Sequence, residues 1–490
     1  MMKKISLLFA LCLTACATQT VNTEMSPVVS DSFRYLPQGE KSDLSEWYQA
    51  WQDPVLSDLI QKGVRQNFSV QAALKRVSAA NQYAQTAKAD LLPKAGVSGN
   101  LGYQNASIDN PLNDNPFLSP FMPEKIKVDD GLFALGFSAS WEPDIFGKKT
   151  ADADSVAFQA LSAREQTEFL QQAIAAKIAV LYCQIVANDK TLHLIDENIK
   201  TIKELQRYAQ GRFNAGQAQK ADILETQMAV EKLTAQKTAL ATQRAEQEQQ
   251  LAVLTGQNPQ TFRLSENKNA LPQTPTPPTG FVPSDILELR PDIRSKALSV
   301  KAAAAKVASA KADLLPRFYL QFLGETGKIG ISSDGIGFQA ALFNAGVELP
   351  IFTAGRIKHN ISAKEAELEA AMADYQQEVL NALQEVDTAY HTRILLDKRS
   401  QQLNTAQKTA QNRQTAQKRL FDNGYAQYNE VLRAKLDELA LQQEQITANR
   451  DRNLSTIALY RALGGKPLNN EQLEMSNLYI FRQPEKGISK

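Results

Sequence analysis

Few side chains in this 490-residue chain are suited to covalent or metal chemistry: three cysteines, Cys12, Cys16 and Cys183, and three histidines, His193, His359 and His391. The histidines lie far apart and form no ligand-spaced cluster, so no metal centre is expected. Cys12 and Cys16 fall in the first twenty residues. The folded remainder therefore carries one thiol and no internal disulfide. No nucleophile, base and orienting group stand in a recognisable pattern, and no phosphate-binding glycine loop occurs. Neither an enzyme nor a bound cofactor is expected.

One cysteine does sit where chemistry is done to it. "MMKKISLLFALCLTAC" has two lysines, an apolar stretch from Ile5 to Leu13 and a small-residue approach to Cys16. That is the layout of a secretory signal, too short for a membrane span. "LTAC" (13–16) resembles the bacterial lipobox, in which cleavage leaves a cysteine that becomes lipid-modified. Ala17, where an aspartate is associated with inner-membrane retention, points by the same resemblance to an outer-membrane lipoprotein anchored through Cys16. Acyl chains add about 0.8 kcal/mol of membrane affinity per buried methylene.

Composition narrows the class further. The net charge is +1 and 43% of residues are hydrophobic, which argues against a nucleic-acid partner. The length suits two to four domains. No uninterrupted run of eighteen apolar residues occurs, so no transmembrane helix is expected.

The elements repeat. "AKADLLP" occurs at 87–93 and again at 310–316, 223 positions apart. "DIFGKK" (144–149) parallels "PIFTAGR" (350–356). Gly216 and Gly424 each precede an acid by six residues, Asp222 and Glu430, at an offset of 208. "LAVLTGQ" (251–257) and "RALGG" (461–465) close the two halves. The drop in offset places roughly fifteen extra residues of the first half in "NPLNDNPFLSPFMPEK", which reads as an exposed loop. "LPQTPTPPTGFVP" (271–283) joins the halves as an extended, polyproline-like linker. The expected division is a signal over 1–15, a first repeat over 16–270, the linker over 271–283, a second repeat over 284–466 and a tail over 467–490.

In each half a helix ends at the proline of "AKADLLP", since proline cannot continue the hydrogen-bond ladder. Two strand-like segments follow. In 132–141 Phe133, Leu135, Phe137, Ala139 and Trp141 share one face, and Leu132, Ala134, Gly136, Ser138 and Ser140 the other. Segments 95–103, 317–325 and 338–349 have similar length, near that of a tilted membrane strand. A long helix then runs from about 148 to 210, on the order of 90 Å. Its apolar residues at Ile174, Ile178, Leu181, Ile185, Leu192, Ile195, Ile199 and Ile202 mark a coiled-coil seam, with Asn188 filling the gap. A second helix over about 428–462 repeats this more loosely. Four strands cannot close a barrel, because small barrels begin at about eight, and open edges in lipid cost several kcal/mol per unpaired group. Three copies would supply twelve strands, with the helices bundled beneath them.

These residues resemble the TolC family of outer-membrane channels, specifically the lipoprotein subgroup serving multidrug efflux systems of the resistance-nodulation-division type. "WYQAWQDPVLSDLIQKGVRQNFSVQAALKRV" (47–77) is similar to the family's leading helix, "WEPDIFGK" (141–148) to its second-strand exit, "LRPDI" (289–293) to its second-half helix start and "LYRALGG" (459–465) to its close. The resemblance covers nearly the whole chain after the signal. It implies an α+β membrane protein: a homotrimer with a 12-strand transmembrane β-barrel, four strands per chain, continued by a periplasmic α-helical coiled-coil barrel. It implies a passive exit duct, working with a periplasmic adaptor and an inner-membrane efflux transporter; export of protein through a type I secretion system would use the same duct.

The resemblance also places helix-hairpin tips at "GRFNAGQAQKADI" (211–223) and "LFDNGYAQYNEVL" (420–432), so Arg212, Gly216, Asp222 and Gly424 are candidates for adaptor contact. Both acids equally suit helix capping. In the family the second tip usually carries an acid three residues after the position of Glu430; here that residue is Arg433. Tyr428, Glu430 and Arg433 are therefore the gate candidates, with Glu430 and Arg433 able to pair on one helix face.

Overall fold

The computed structural model describes residues 21, 29–37, 39–109, 117, 120, 125–265, 272–329 and 336–467. Cys16, nearly all of the proline-rich segment 110–124 and residues 468–490 lie outside the described residues. Among the described residues the chain is mostly helical, with four antiparallel strands. In order they are α1 (Pro54–Gln66), α2 (Phe68–Ala89), β1 (Lys94–Asp109), β2 (Lys125–Trp141), α3 (Lys148–Asn214), α4 (Lys220–Leu254), α5 (Asp285–Leu289), α6 (Pro291–Ala312), β3 (Arg317–Ile329), β4 (Ile336–Glu348), α7 (Arg356–Asp422) and α8 (Tyr428–Ala462). Helices of 22, 67 and 35 residues occur in that order in each half. The chain divides into two compact units.

The first unit contains residues 79–160 and 298–372. "AKADLLP" ends α2 at Ala89 and α6 at Ala312, and β1 and β3 begin directly after its proline. The aspartate of each copy holds the first strand residue: Asp90 pairs with Lys94 at 2.7 Å, and Asp313 pairs with Arg317 and Lys148. Small side chains let the helices approach, with Ala84, Ala157 and Ala160 buried together. The strands form one sheet in the order β1-β2-β3-β4, so β2 of the first half pairs with β3 of the second.

The registers set one face of the sheet. Phe137 stands opposite Val97 and Gly324, Leu135 opposite Gly99 and Thr326, and Phe322 opposite Phe343. Because successive side chains alternate, Val97, Leu101, Phe133, Leu135, Phe137, Trp141, Phe322, Phe343 and Val347 share this face, and all are exposed. The opposite face is mostly small and polar, with Gly96, Ser98, Asn100, Ser138, Gln321 and Asn344. Tyr319 lies over Gly346, where a Cβ would stand 2.1 Å from the ring; only glycine leaves that ring its place. β1, β2 and β3 run past the expected strand ends, because the backbone ladder continues where the apolar alternation has given way to charged and polar residues.

The second unit comprises the described residues of 25–78, 161–297 and 373–490. Asp53 caps α1, accepting from Val55 N at 2.9 Å and Leu56 N at 3.1 Å, and Pro54 pre-sets the first turn. Trp47 stacks on Tyr460, and Trp51 donates to the buried Asn453 at 2.7 Å. The α3 seam is buried at Ile174, Ile178, Leu181, Ile185, Ile195 and Ile202, and half-buried at Leu192 and Ile199. Asn188 fills the gap as expected and donates to Gln247 at 3.0 Å. A stretch of α3 is long and apolar enough by composition to cross a bilayer, but 67% of it is buried, as in a core helix. Gly211 does not end α3, which runs on to Asn214; a glycine inside a long helix weakens it by only about 0.5–1 kcal/mol. Cys183 is fully buried in α3, and burial, assisted by the Asp53 charge, pushes its thiol up to about 12, so it is inert.

Two side chains fasten helix starts to distant helix ends. Asn67, between α1 and α2, donates to Leu254 O at 3.0 Å. Arg290, between α5 and α6, donates to Ala462 O at 3.0 Å, to Glu385 at 2.9 Å and to Asp292. Burial opposes the Arg290 charge, but Asp292 and Glu385 outweigh it and hold the guanidinium above its ordinary range. Gly464, at φ +82, lets the chain pass Leu289 O where a Cβ would meet it at 2.7 Å. The linker is clamped along α7 and α8 through its carbonyls: Tyr390 donates to Pro278 O at 2.6 Å and Asn453 to Pro272 O at 3.3 Å. A proline-rich segment offers acceptors and few donors, so its neighbours must supply the donors.

Arg290→Ala leaves Asp292 and Glu385 without their buried cation, a change expected to cost about 3–5 kcal/mol. Thermal unfolding followed by limited proteolysis should show earlier cleavage between 285 and 300 than in the parent. Arg290→Lys, which lacks the planar fork, should recover only part of the loss. Parental resistance in Arg290→Ala would contradict this fastening.

Candidate functional site at the helix reversals

Two reversals join the long helices, one between α3 and α4 and one between α7 and α8. Both are built the same way. Gly216 adopts φ +74 and Gly424 φ +82. Gln217 N donates to Arg212 O at 2.8 Å, and Tyr425 N to Leu420 O at 2.8 Å. Each is the six-to-one closure that ends a helix on a left-handed residue. Nothing lies within 4 Å of a Cβ built at either glycine, so glycine is required there by conformation and not by space.

The candidate residues fall into two groups. Asp222 lies in the first turn of α4, and its Oδ2 accepts from Gln219 N at 3.2 Å, which is helix capping. Glu430 stands at the matching position of α8 and is exposed. Arg212 is half-buried, whereas Gly216 and Gly424 are exposed. Tyr428 is buried against two other aromatics, its ring 5.9 Å from Tyr208 and 6.2 Å from Phe421, which lie 5.3 Å from each other. This triad joins α3, α7 and α8. Burial, with the charges of Asp222 and Glu225 added, pushes the Tyr428 phenol well above its ordinary range. Its hydroxyl is buried without a hydrogen-bond partner among the described residues.

Arg433 departs from the expected arrangement. Its ion pair within the chain is with Glu225 on α4, at 3.9 Å, and not with Glu430. The expectation paired residues along one helix, whereas α4 packs beside α8 and brings its own carboxylate to Arg433. Ile195, Ile202, Ala229, Leu233, Leu432 and Leu439 form the apolar cluster that sets this packing. At that distance, with Arg433 67% exposed, the pair contributes little by itself.

The α7 arm is attached differently. Among residues 401–427 none is buried. Phe421 packs in the aromatic triad, and Arg413 reaches Asp437 of α8 at 2.7 Å. Glu225, Tyr208 and Phe421 were not singled out from the sequence. Each is brought to the site by packing between helices, which spacing along one helix does not report. The side chains here are one capping acid, Asp222, an exposed acid, Glu430, which caps nothing among the described residues, a weak ion pair and packed aromatics, an arrangement for holding helix ends and not for bond-making.

The family profile for "Outer membrane efflux protein" matches residues 59–257 and 282–465, well over half of the chain. The chain is 27% identical over 474 residues to the pyoverdine export outer membrane protein OpmQ of Pseudomonas aeruginosa, covering 95% of this chain and 97% of that protein. It is 25% identical over 426 residues to the toluene efflux pump outer membrane protein TtgF of Pseudomonas putida, covering 86% and 85%. The outer-membrane channel OprN superposes with a TM-score of 0.81 at 21% identity, over 92% of this chain and all of that one. The open state of the Neisseria gonorrhoeae MtrE channel gives 0.79 at 20% identity, over 92% and 98%. The chain therefore belongs to the outer membrane efflux protein family and is an outer-membrane efflux channel, not an enzyme.

Proposed function

We propose that three copies of this chain form the exit duct of a tripartite pump. Their twelve strands close a barrel across the outer membrane, and their helices continue into the periplasm. The reading rests on one observation above all: a four-stranded sheet with one largely apolar face and, among the described residues, two outer strands paired on one side only. The matching helix lengths and the matching reversals support two structural repeats per chain, divided by the proline-rich linker. A periplasmic adaptor meets the reversals around Arg212, Gly216, Asp222 and Gly424, and an inner-membrane transporter supplies the cargo. Relatives named for pyoverdine export and toluene efflux support small molecules as that cargo. Cys16 carries the lipid that fixes the N-terminus to the outer membrane. The periplasmic end closes around Tyr428, Glu430 and Arg433, where the weak Arg433–Glu225 contact, repeated in each copy, adds to the apolar packing of α8 on α4.

Assembly, anchor and gate are tested separately. Detergent-extracted protein should have the mass of a trimer by light scattering, and a stable monomer would contradict the shared barrel. Phe137→Arg should impair assembly more than Ser138→Arg, since a mid-bilayer charge on the lipid face costs about 2–4 kcal/mol. Equal effects would reverse or remove the assigned faces.

Mass spectrometry should find an acylated Cys16 as the mature N-terminus. Cys16→Ala should weaken membrane retention more than assembly. An unmodified N-terminus at another residue would exclude the anchor.

Arg433→Glu gathers like charge beside Glu225 and Glu430 and should raise conductance in planar bilayers. Adding Glu225→Arg should restore closure more fully than adding Glu430→Arg. The opposite ranking would assign the contact to Glu430, and parental conductance in all variants would place the gate elsewhere.

A further inference from the structure

A groove of about 1060 Å³ opens in the second unit, between the start of α1 and the chain that follows α4. Val55 and Leu59 of α1 line it, with Phe262 and Leu264 from the segment after α4. Val55 is 44% exposed, an apolar side chain left open to water. Small-ligand pockets measure roughly 300–1,000 Å³ and are mostly apolar. This groove stands at the top of that range and also carries amides. Gln52 and Gln273 line it, and their side chains make no hydrogen bond among the described residues. An amide side chain both donates and accepts. The backbone of a peptide segment needs both when it leaves water. Apolar walls with free amides between them suit a stretch of polypeptide better than a small molecule.

The chain supplies such a stretch beside the groove. Lys466 N donates to Leu44 O at 3.0 Å, and Glu46 N donates to Lys466 O at 2.8 Å. A Cβ at Gly465 would stand 3.0 Å from Cδ1 of Trp47. Trp47 lies 5.7 Å from Trp51, and Trp51 lines the groove. The description stops one residue after Lys466, at Pro467. The tail, 468–490, holds a single apolar run: Leu478, Tyr479, Ile480 and Phe481. Between Pro467 and Leu478 the chain can extend about 3.3–3.6 Å per residue, several times the separation that those ring contacts span. Charges of both signs are present on each side. Glu474 precedes the run and Arg482 follows it. At the groove Arg263 has no ion pair among the described residues, and Asp58 is exposed beside Lys62 at 2.7 Å.

We infer that the apolar run 478–481 docks in this groove of its own chain, against Val55 and Phe262, with Gln52 and Gln273 serving its backbone. The inference concerns a single chain and does not depend on the shared barrel. The docked tail covers two residues that tie the start of α1 to distant helices. Trp51 donates to Asn453 of α8 at 2.7 Å, and Asp53 accepts from Tyr182 of α3 at 2.7 Å. The tail thereby acts as a strap over the place where α1 is fastened.

Maleimide labelling of Val55→Cys in the purified full-length protein, read by mass spectrometry on the peptide that contains it, reports the cover directly. Two companions carry the same cysteine. One lacks 468–490, and the other keeps the full chain with Tyr479→Ser and Phe481→Ser. A covered site reacts only while it is open, so the full chain should label roughly tenfold or more slowly than either companion. Val253→Cys, 60% exposed and outside the groove, should label alike in all three backgrounds. Fast labelling of Val55→Cys in every background leaves the groove open and overturns the docking. Slow labelling in every background assigns the cover to something other than the tail and overturns it too. Fast labelling after the deletion with slow labelling in the serine variant places another part of the tail in the groove and overturns the named run. Should the shortened protein fail to assemble, the full-length serine variant decides alone.

Discussion

A backbone amide in lipid has no water to turn to, and this constraint governs the rest of the molecule. Each unpaired N–H or C=O at that depth costs several kcal/mol. A four-stranded sheet cannot satisfy both its edges by closing on itself, because the smallest barrels need about eight strands. The apolar face of Phe133, Leu135, Phe137, Phe322 and Phe343 and the small polar face of Gly96, Ser98, Ser138 and Asn344 are the two sides such a wall requires. The proposed completion by further copies rests on the sheet before any property of the helices is considered.

The helices obey a different rule, since their backbones are satisfied internally and their side chains decide the packing. The α3–α4–α8 cluster is apolar, whereas the end of α7 is held by an aromatic contact and an ion pair. Arg290 and Asn67 do comparable work at the other end of these helices, each donating to the carbonyl of a helix end far along the chain. Buried polar fastenings of this kind fix one arrangement, because a donor left without its acceptor costs more than the bond itself returns.

Much of this was legible in the sequence because it is written in periodicity and punctuation. "AKADLLP" marked both helix-to-strand junctions, the alternation in 132–141 marked both sheet faces, and the isoleucine spacing marked the α3 seam. What escaped was contact between elements. The strand ends past Tyr103 carry no apolar alternation and are set by their partners in the ladder. Arg433 pairs across helices with Glu225, which no spacing along α8 reveals. "LRPDI" carried a resemblance, but the fastening role of its arginine became visible only with Glu385 and Ala462 O beside it.

The central claim is that β1 and β4 are not edges in the membrane. Hydrogen–deuterium exchange of the membrane-embedded protein measures this amide by amide. The account predicts that amides in 97–103 and 338–347 exchange as slowly as those of β2 and β3. Rapid exchange at alternate amides along β1 and β4, with β2 and β3 protected, would show open edges and contradict it.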